Sequence, residues 1–160
     1  MVVGVVSNTE GRMDAMTAAV DLLREADVEW LIHCGDVGGR QVLEAMTAVE
    51  SAFIWGDRDR DRMGLLRVAQ RLNVVCYGVM ADFDADGKRI VAVHGDDKKV
   101  LKRLLDEQQH DFLFCGHGPE PEDRQVGKTR VIHPGSLYGG AKRTAAVVNT
   151  DTGEVRVFTV

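Results

Sequence analysis

The sequence predicts an α/β chain folded as a four-layer α/β/β/α sandwich, with two mixed sheets flanked by helices. Three observations lead there. Strand-like and helix-like runs alternate through the first half, hairpin signals dominate the second, and no linker-like, repeated or low-complexity segment divides them. The 160 residues fit one domain spanning 1–160, long enough to bury a substantial core.

Val2 to Val6 is a nearly continuous β-branched run, as expected of a strand buried on both faces. It breaks at Ser7-Asn8-Thr9-Glu10-Gly11, and a helix follows with Met13, Met16, Val20 and Leu23 at spacings of three and four. Glu29 to His33 reads as a strand, Gln41 to Val49 as a helix and Ala52 to Trp55 as a third strand. Val74 to Tyr77 is a short strand. Val79 to Phe83 and Arg89 to Val93 flank an Asp-Gly turn, which tolerates the positive φ of a tight hairpin. Lys98 to Gln109 is a helix with Val100, Leu101, Leu104 and Leu105 on one face, followed by a strand from Phe112 to Cys115. Gln125 to Ile132 reads as a hairpin turning at Gly127-Lys128, and Thr144 to Asn149 with Glu154 to Thr159 as another.

Composition narrows the function. With 44% hydrophobic and 28% charged residues, disorder is not the default. A net charge of -5 argues against non-specific nucleic-acid binding. A small phosphorylated substrate stays compatible with that charge, because a metal supplies positive charge locally. Cys34, Cys76 and Cys115 form no C-x-x-C pair and sit in or beside apolar runs, so buried free thiols are expected rather than zinc–thiolate chemistry. MVVGVVSN shows neither a basic leader nor a long apolar stretch, so no membrane association and a cytoplasmic location are the expectations.

One pattern carries chemistry. Asn8 and Glu10, Asp36, Asp57, His94 and His117 recur where predicted strands end, most of them beside a glycine. The crevice beyond the carboxyl ends of strands is where α/β sheets bind ligands, and oxygen donors with imidazoles suit divalent cations. Each residue also has a plain reading. Asn8 caps a helix, Asp36 and Asp57 form turns, and the histidines make structural hydrogen bonds. Recurrence at successive strand ends is what favours a shared site.

In order and spacing, VVSNTEG, HCGD, WGDRD, HGD, GHGP and HPGS resemble the motif series of the calcineurin-like metallophosphoesterases, in particular their small bacterial and archaeal phosphodiesterase branch. The resemblance covers nearly the whole chain and implies the metallophosphoesterase fold. It further implies that Asn8, Glu10, Asp36 and Pro119 stand where the family holds one metal, and Asp36, Asp57, His94 and His117 where it holds a second. Asp36 would bridge the two.

Several of those positions depart from the family pattern. Proline cannot ligate through its side chain, Asn8 replaces a carboxylate, and Asp57 replaces an amide. The family H-G-H becomes His94-Gly95-Asp96. Fewer imidazoles and more carboxylates tilt the preference toward Mn²⁺ or Mg²⁺, with Ni²⁺, Zn²⁺ or Fe as further options, one ion or two. Arg58 is a candidate phosphate clamp or a surface ion-pairing residue, and His133 a supporting group for a ligand or an ordinary loop histidine.

The resemblance thus implies a metal-dependent phosphoesterase, hydrolysing a phosphodiester or phosphomonoester by metal-activated water. Asp36, Asp57, Arg58, His94 and His117 would do the work. Losing a transition-state contact costs about 3–4 kcal/mol, so attenuated turnover or an altered metal requirement is expected. The alternative is a non-catalytic binding or scaffold domain, the role this fold serves in the retromer, and self-association is an open option on either reading. A dinucleotide-binding domain lacks its G-x-G-x-x-G after Val6. A phosphoacceptor receiver does not fit the hairpins that follow Cys76.

Overall fold

In the computed structural model, which describes residues 1–160, strand β1 (Val2–Val6) runs through the middle of a six-stranded sheet. Its alternating side chains serve two interiors. Val3 and Val5 face a second sheet, while Val6 faces a layer of helices. Parallel to β1, in order outward, lie β2 (Trp30–His33), β3 (Ser51–Phe53) and β4 (Val75–Cys76). Each step is a crossover through a helix: α1 (Met13–Glu25), α2 (Arg40–Met46) and α3 (Arg62–Leu72).

The five-stranded sheet is built from two hairpins around one strand. β5 (Met80–Ala85) and β6 (Lys88–Val93) turn at Asp86 and Gly87, whose φ angles of 52° and 74° are those an Asp-Gly hairpin requires. β7 (Phe112–Cys115) follows α4 (Lys98–Glu107) and lies parallel to β6. β8 (Pro121–Val126) and β9 (Thr129–Pro134) make the second hairpin, with β9 parallel to β7. The chain returns to the first sheet as β10 (Thr144–Asn149), antiparallel to β1, and ends in β11 (Val155–Thr159) at its edge.

Three apolar layers hold this together. The largest packs α1, α2 and α3 on the outer face of the six-stranded sheet, with Met16, Leu23, Leu43 and Phe53 fully buried. A second lies between the sheets, where Val5, Ile32 and Ile54 meet Ile90, Phe114 and Ile132. The third seats Leu104 of α4 on Val91, Leu113 and Val131. Layer order is therefore α/β/β/α with both sheets mixed, as expected. No helix is long and apolar enough to cross a membrane.

The differences from sequence are local. Helix α3 was not expected: only Leu65 and Ala69 are fully packed on its buried face, and Gly64 breaks an Arg-rich run. Its signals are at the ends, where Asp61 accepts from the Gly64 N–H and Asn73 adopts the left-handed conformation at φ 56°. The hairpin at Gly127 is longer than expected, because the partly exposed strand β8 lacks a clear apolar alternation. Strands β3 and β4 are shorter than expected, although backbone bonds from Ile54 to His33 and from Tyr77 to Phe53 carry the pairing a residue past their ends.

Candidate metal centre

The loops after β1, β2, β3, β6 and β7 carry Asn8 and Glu10, Asp36, Asp57, His94 and His117 respectively. Four of these residues hold left-handed backbone: Asn8 at φ 52°, Glu10 at 48°, Asp36 at 59° and His117 at 63°. Non-glycine residues in that region cost roughly 1 kcal/mol or more each, and their concentration at one end of the fold marks a built site. Two glycines let the loops close up. A Cβ on Gly56 would lie 2.1 Å from Asp36 Oδ1, and one on Gly35 would lie 2.6 Å from His94 Nδ1.

His94 is the hub. Its Nδ1 lies 2.7 Å from the Cys34 carbonyl oxygen, which only accepts, so Nδ1 carries the proton and Nε2 points into the cluster. Nε2 is 3.0 Å from Asp57 Oδ1, 3.3 Å from His117 Nδ1 and 3.4 Å from Asp36 Oδ2. His117 Nδ1 and Asp57 Oδ1 are themselves 3.4 Å apart. Burial disfavours charge on His94, but the Asp36 carboxylate, the Cys34 carbonyl and Asp57 outweigh it and raise the imidazole to about 9. Burial likewise opposes the charge on Asp36, yet His94 and the Arg58 N–H hold its carboxyl below the usual range.

These spacings suit a bound cation. An ion with ligand bonds of about 2.1 Å separates adjacent donors by about 3.0 Å in an octahedron and about 3.4 Å in a tetrahedron. Asp57, His94 and His117 meet that condition pairwise, and Asp36 extends the set on the His94 side. A carbonyl-held Nδ1–H is also the support that a ligating histidine normally has. The residues present therefore fit one divalent ion.

Asn8, Glu10 and Arg58 stand apart from that cluster, along a cleft of about 340 Å³ that also touches Asp36, His117 and Pro119. Asn8 is not a helix cap: Arg12 holds the N-cap position of α1 and makes no side-chain cap, and the Asn8 amide accepts from the Ser7 hydroxyl and donates to the Gly118 carbonyl. Glu10 Oε1 takes Arg58 Nη1 at 2.5 Å. The Arg58 backbone N–H donates to Asp36 Oδ1 at 2.9 Å. A second cavity, of about 300 Å³, is bordered by His94 and lined by Trp55, Val79, Met80, Val93 and Asp96 among others.

Asp59 was missed as a site-building residue. Nearly fully buried, it accepts from the Asp36 and Gly56 N–H groups through Oδ2 and from the Gly38 N–H through Oδ1, so one carboxylate ties the β2 loop to the β3 loop. Its signal was the second acid of WGDRD, an aspartate too close to a strand end to be a mere surface charge. His133 touches the β7 loop, hydrogen-bonding the Gly116 backbone one residue before His117. It lies in β9 rather than a loop, and its Nε2 faces Glu122 at 3.7 Å. Cys34 and Cys115 are buried, with burial pushing the Cys115 thiol up to about 12, whereas Cys76 is only half-buried.

Comparison with known proteins places the architecture in context. A model of the calcineurin-like phosphoesterase superfamily domain matches residues 1–153. A phosphodiesterase of Methanocaldococcus jannaschii is 24% identical over 163 aligned positions, covering 98% of this chain and 97% of the relative. The solved structure of an archaeal phosphodiesterase superposes with a TM-score of 0.92 at 22% identity, covering all of both chains. Vps29 of Entamoeba histolytica superposes at 0.67 with 15% identity, covering 100% of this chain and 98% of that one.

Proposed function

The chain belongs to the calcineurin-like phosphoesterase superfamily, and from that premise we propose that it is a metal-dependent phosphodiesterase acting at the carboxyl edge of its two sheets. The observation that carries this reading is the convergence of Asp57, His94 and His117 from three separate strand ends onto one point. When bound there, a divalent ion supplies a Lewis acid for the phosphoryl oxygen and an acidified water for attack. Mn²⁺ and Mg²⁺ are the favoured ions, because the donor set is half carboxylate.

The remaining steps belong to the chain itself. His94 offers Nε2 because the Cys34 carbonyl fixes its tautomer. Asp36 and Asp57 hold the local charge negative enough to retain a cation. Asp59 keeps the two aspartate-bearing loops in register, so the donors are positioned before anything binds. Arg58, its side chain largely exposed at the cleft, is placed to take a phosphoryl oxygen. The second cavity, beside His94, would give the substituents of a diester an apolar wall of Trp55, Val79, Met80 and Val93.

Turnover of an aryl phosphodiester with Mn²⁺, Mg²⁺, Ni²⁺ and Zn²⁺ in turn tests this reading. Activity with at least one ion, lost in Asp36→Ala and His117→Ala, is the expected result. A folded protein without turnover on any ion would leave the second reading, a binding domain of the same fold. Pro119 at a family histidine position and the likeness to Vps29 favour that second reading.

A further inference from the structure

We propose that the protein binds a single divalent ion per chain and that the Arg58 guanidinium, held by Glu10, takes the place of a second one. This rests on the metal-centre reading above and specifies how that centre is completed. The groups on the Asn8 side already make contacts within the protein that a second ion would compete with. The Asn8 amide oxygen accepts from Ser7, and its nitrogen donates to the Gly118 carbonyl. Glu10 is paired with Arg58 Nη1. Asp36 Oδ1 accepts the Arg58 backbone N–H, while Oδ2 is the oxygen that faces His94. Pro119 has no ligand atom in its side chain.

What stands at that end of the cleft is a cation built into the chain. Arg58 is anchored at both ends: its main-chain N–H fixes it against Asp36, and Glu10 aims the guanidinium. The Glu10 side chain is 22% exposed and that of Arg58 62%, which leaves guanidinium donors open to the same cleft that His117 and Ser136 line. A guanidinium presents paired N–H groups to two phosphate oxygens, a geometry suited to an anionic tetrahedral phosphate. Unlike a second ion, it cannot be removed by a chelator. Glu10 is a positioning residue here. It would orient Arg58 and partly offset its charge before substrate arrives.

The test is metal stoichiometry, read independently of turnover. Titration of Mn²⁺ into the wild-type protein, followed by calorimetry and by electron paramagnetic resonance, is expected to give one equivalent per chain and an uncoupled single-ion spectrum. Arg58→Ala is expected to keep that equivalent with its affinity changed less than about threefold, while KM for an aryl phosphodiester rises roughly tenfold. Arg58→Lys should recover part of that loss, and Glu10→Gln should raise KM without altering the ion count. Two equivalents in the wild type, or an exchange-coupled spectrum, would overturn the proposal and leave the metal-centre reading intact. No bound ion at all would instead remove the reading beneath it. An unchanged KM in Arg58→Ala would overturn the role given to the guanidinium.

Discussion

Asp59 decides more of the site than its position beside the ligands suggests. Its carboxylate satisfies three backbone N–H groups, from Asp36, Gly38 and Gly56, and none of them has another partner of comparable burial. Removing it strands those donors, and each buried unsatisfied group costs about 1–3 kcal/mol. Asp59→Ala is therefore expected to lower stability by at least about 3 kcal/mol in urea unfolding. Metal affinity should fall with it, although Asp59 is no ligand. Asp59→Asn, which keeps one acceptor, should lie between. The six strand-end residues were legible in the sequence because glycine neighbours and recurrence singled them out. The grouping of Asp36, Asp57, His94 and His117 apart from Asn8 and Glu10 was implied by the family resemblance, but the Glu10–Arg58 ion pair was not legible, since it depends on whether Arg58 reaches across to the β1 loop or pairs with an acid nearer in sequence. Sequence spacing carries no information on that choice.

The elements differ in how plainly they were written. Strands β1, β6 and β7 were recognisable because their runs are buried on both faces, and alternate residues supply two different interiors. Phe114 faces the inter-sheet layer with no exposure, so Phe114→Ala is expected to cost about 3–5 kcal/mol by urea unfolding. Val157 of β11, at the sheet edge and 46% exposed, should change stability by less than about 0.5 kcal/mol on substitution by Thr. Helix α3 was not legible because its capping, rather than its periodicity, defines it: Asp61 at one end and Asn73 at the other. Gly64 fits that cap closely, since a Cβ there would lie 2.1 Å from Asp61 Oδ2. Gly64→Ala should therefore destabilise the protein, contrary to the usual gain from replacing a helical glycine. Thermal unfolding reads that sign directly.

For the whole molecule, two histidines set opposing pH responses in the metal-free protein. His33 at the end of β2 is fully buried, and burial lowers it from 6.5 to about 4. Between those values only the unfolded chain takes up the proton, so acidification from pH 6.5 to 4 is expected to cost about 3 kcal/mol from this residue. His94 runs the other way. Raised to about 9, it contributes stability that is fully present below pH 6.5 and is lost as pH climbs through 9. From these two groups the metal-free protein is most stable near pH 6.5, which urea unfolding across pH 4 to 9 will show. Because a cation must displace the His94 proton, its affinity should increase about tenfold per unit between pH 6.5 and 8.5. The layered architecture was readable from alternation and hairpin signals. The two cavities, one bordered by His94 and the other by His117, were not, because they arise only when two sheets bring their strand ends together. Anomalous diffraction from crystals saturated with Mn²⁺ addresses the centre most directly. One peak within bonding distance of Asp57, His94 and His117, with Asp36 beside it, is the expected result. A saturated crystal with no peak there, or with those side chains turned apart, would contradict it.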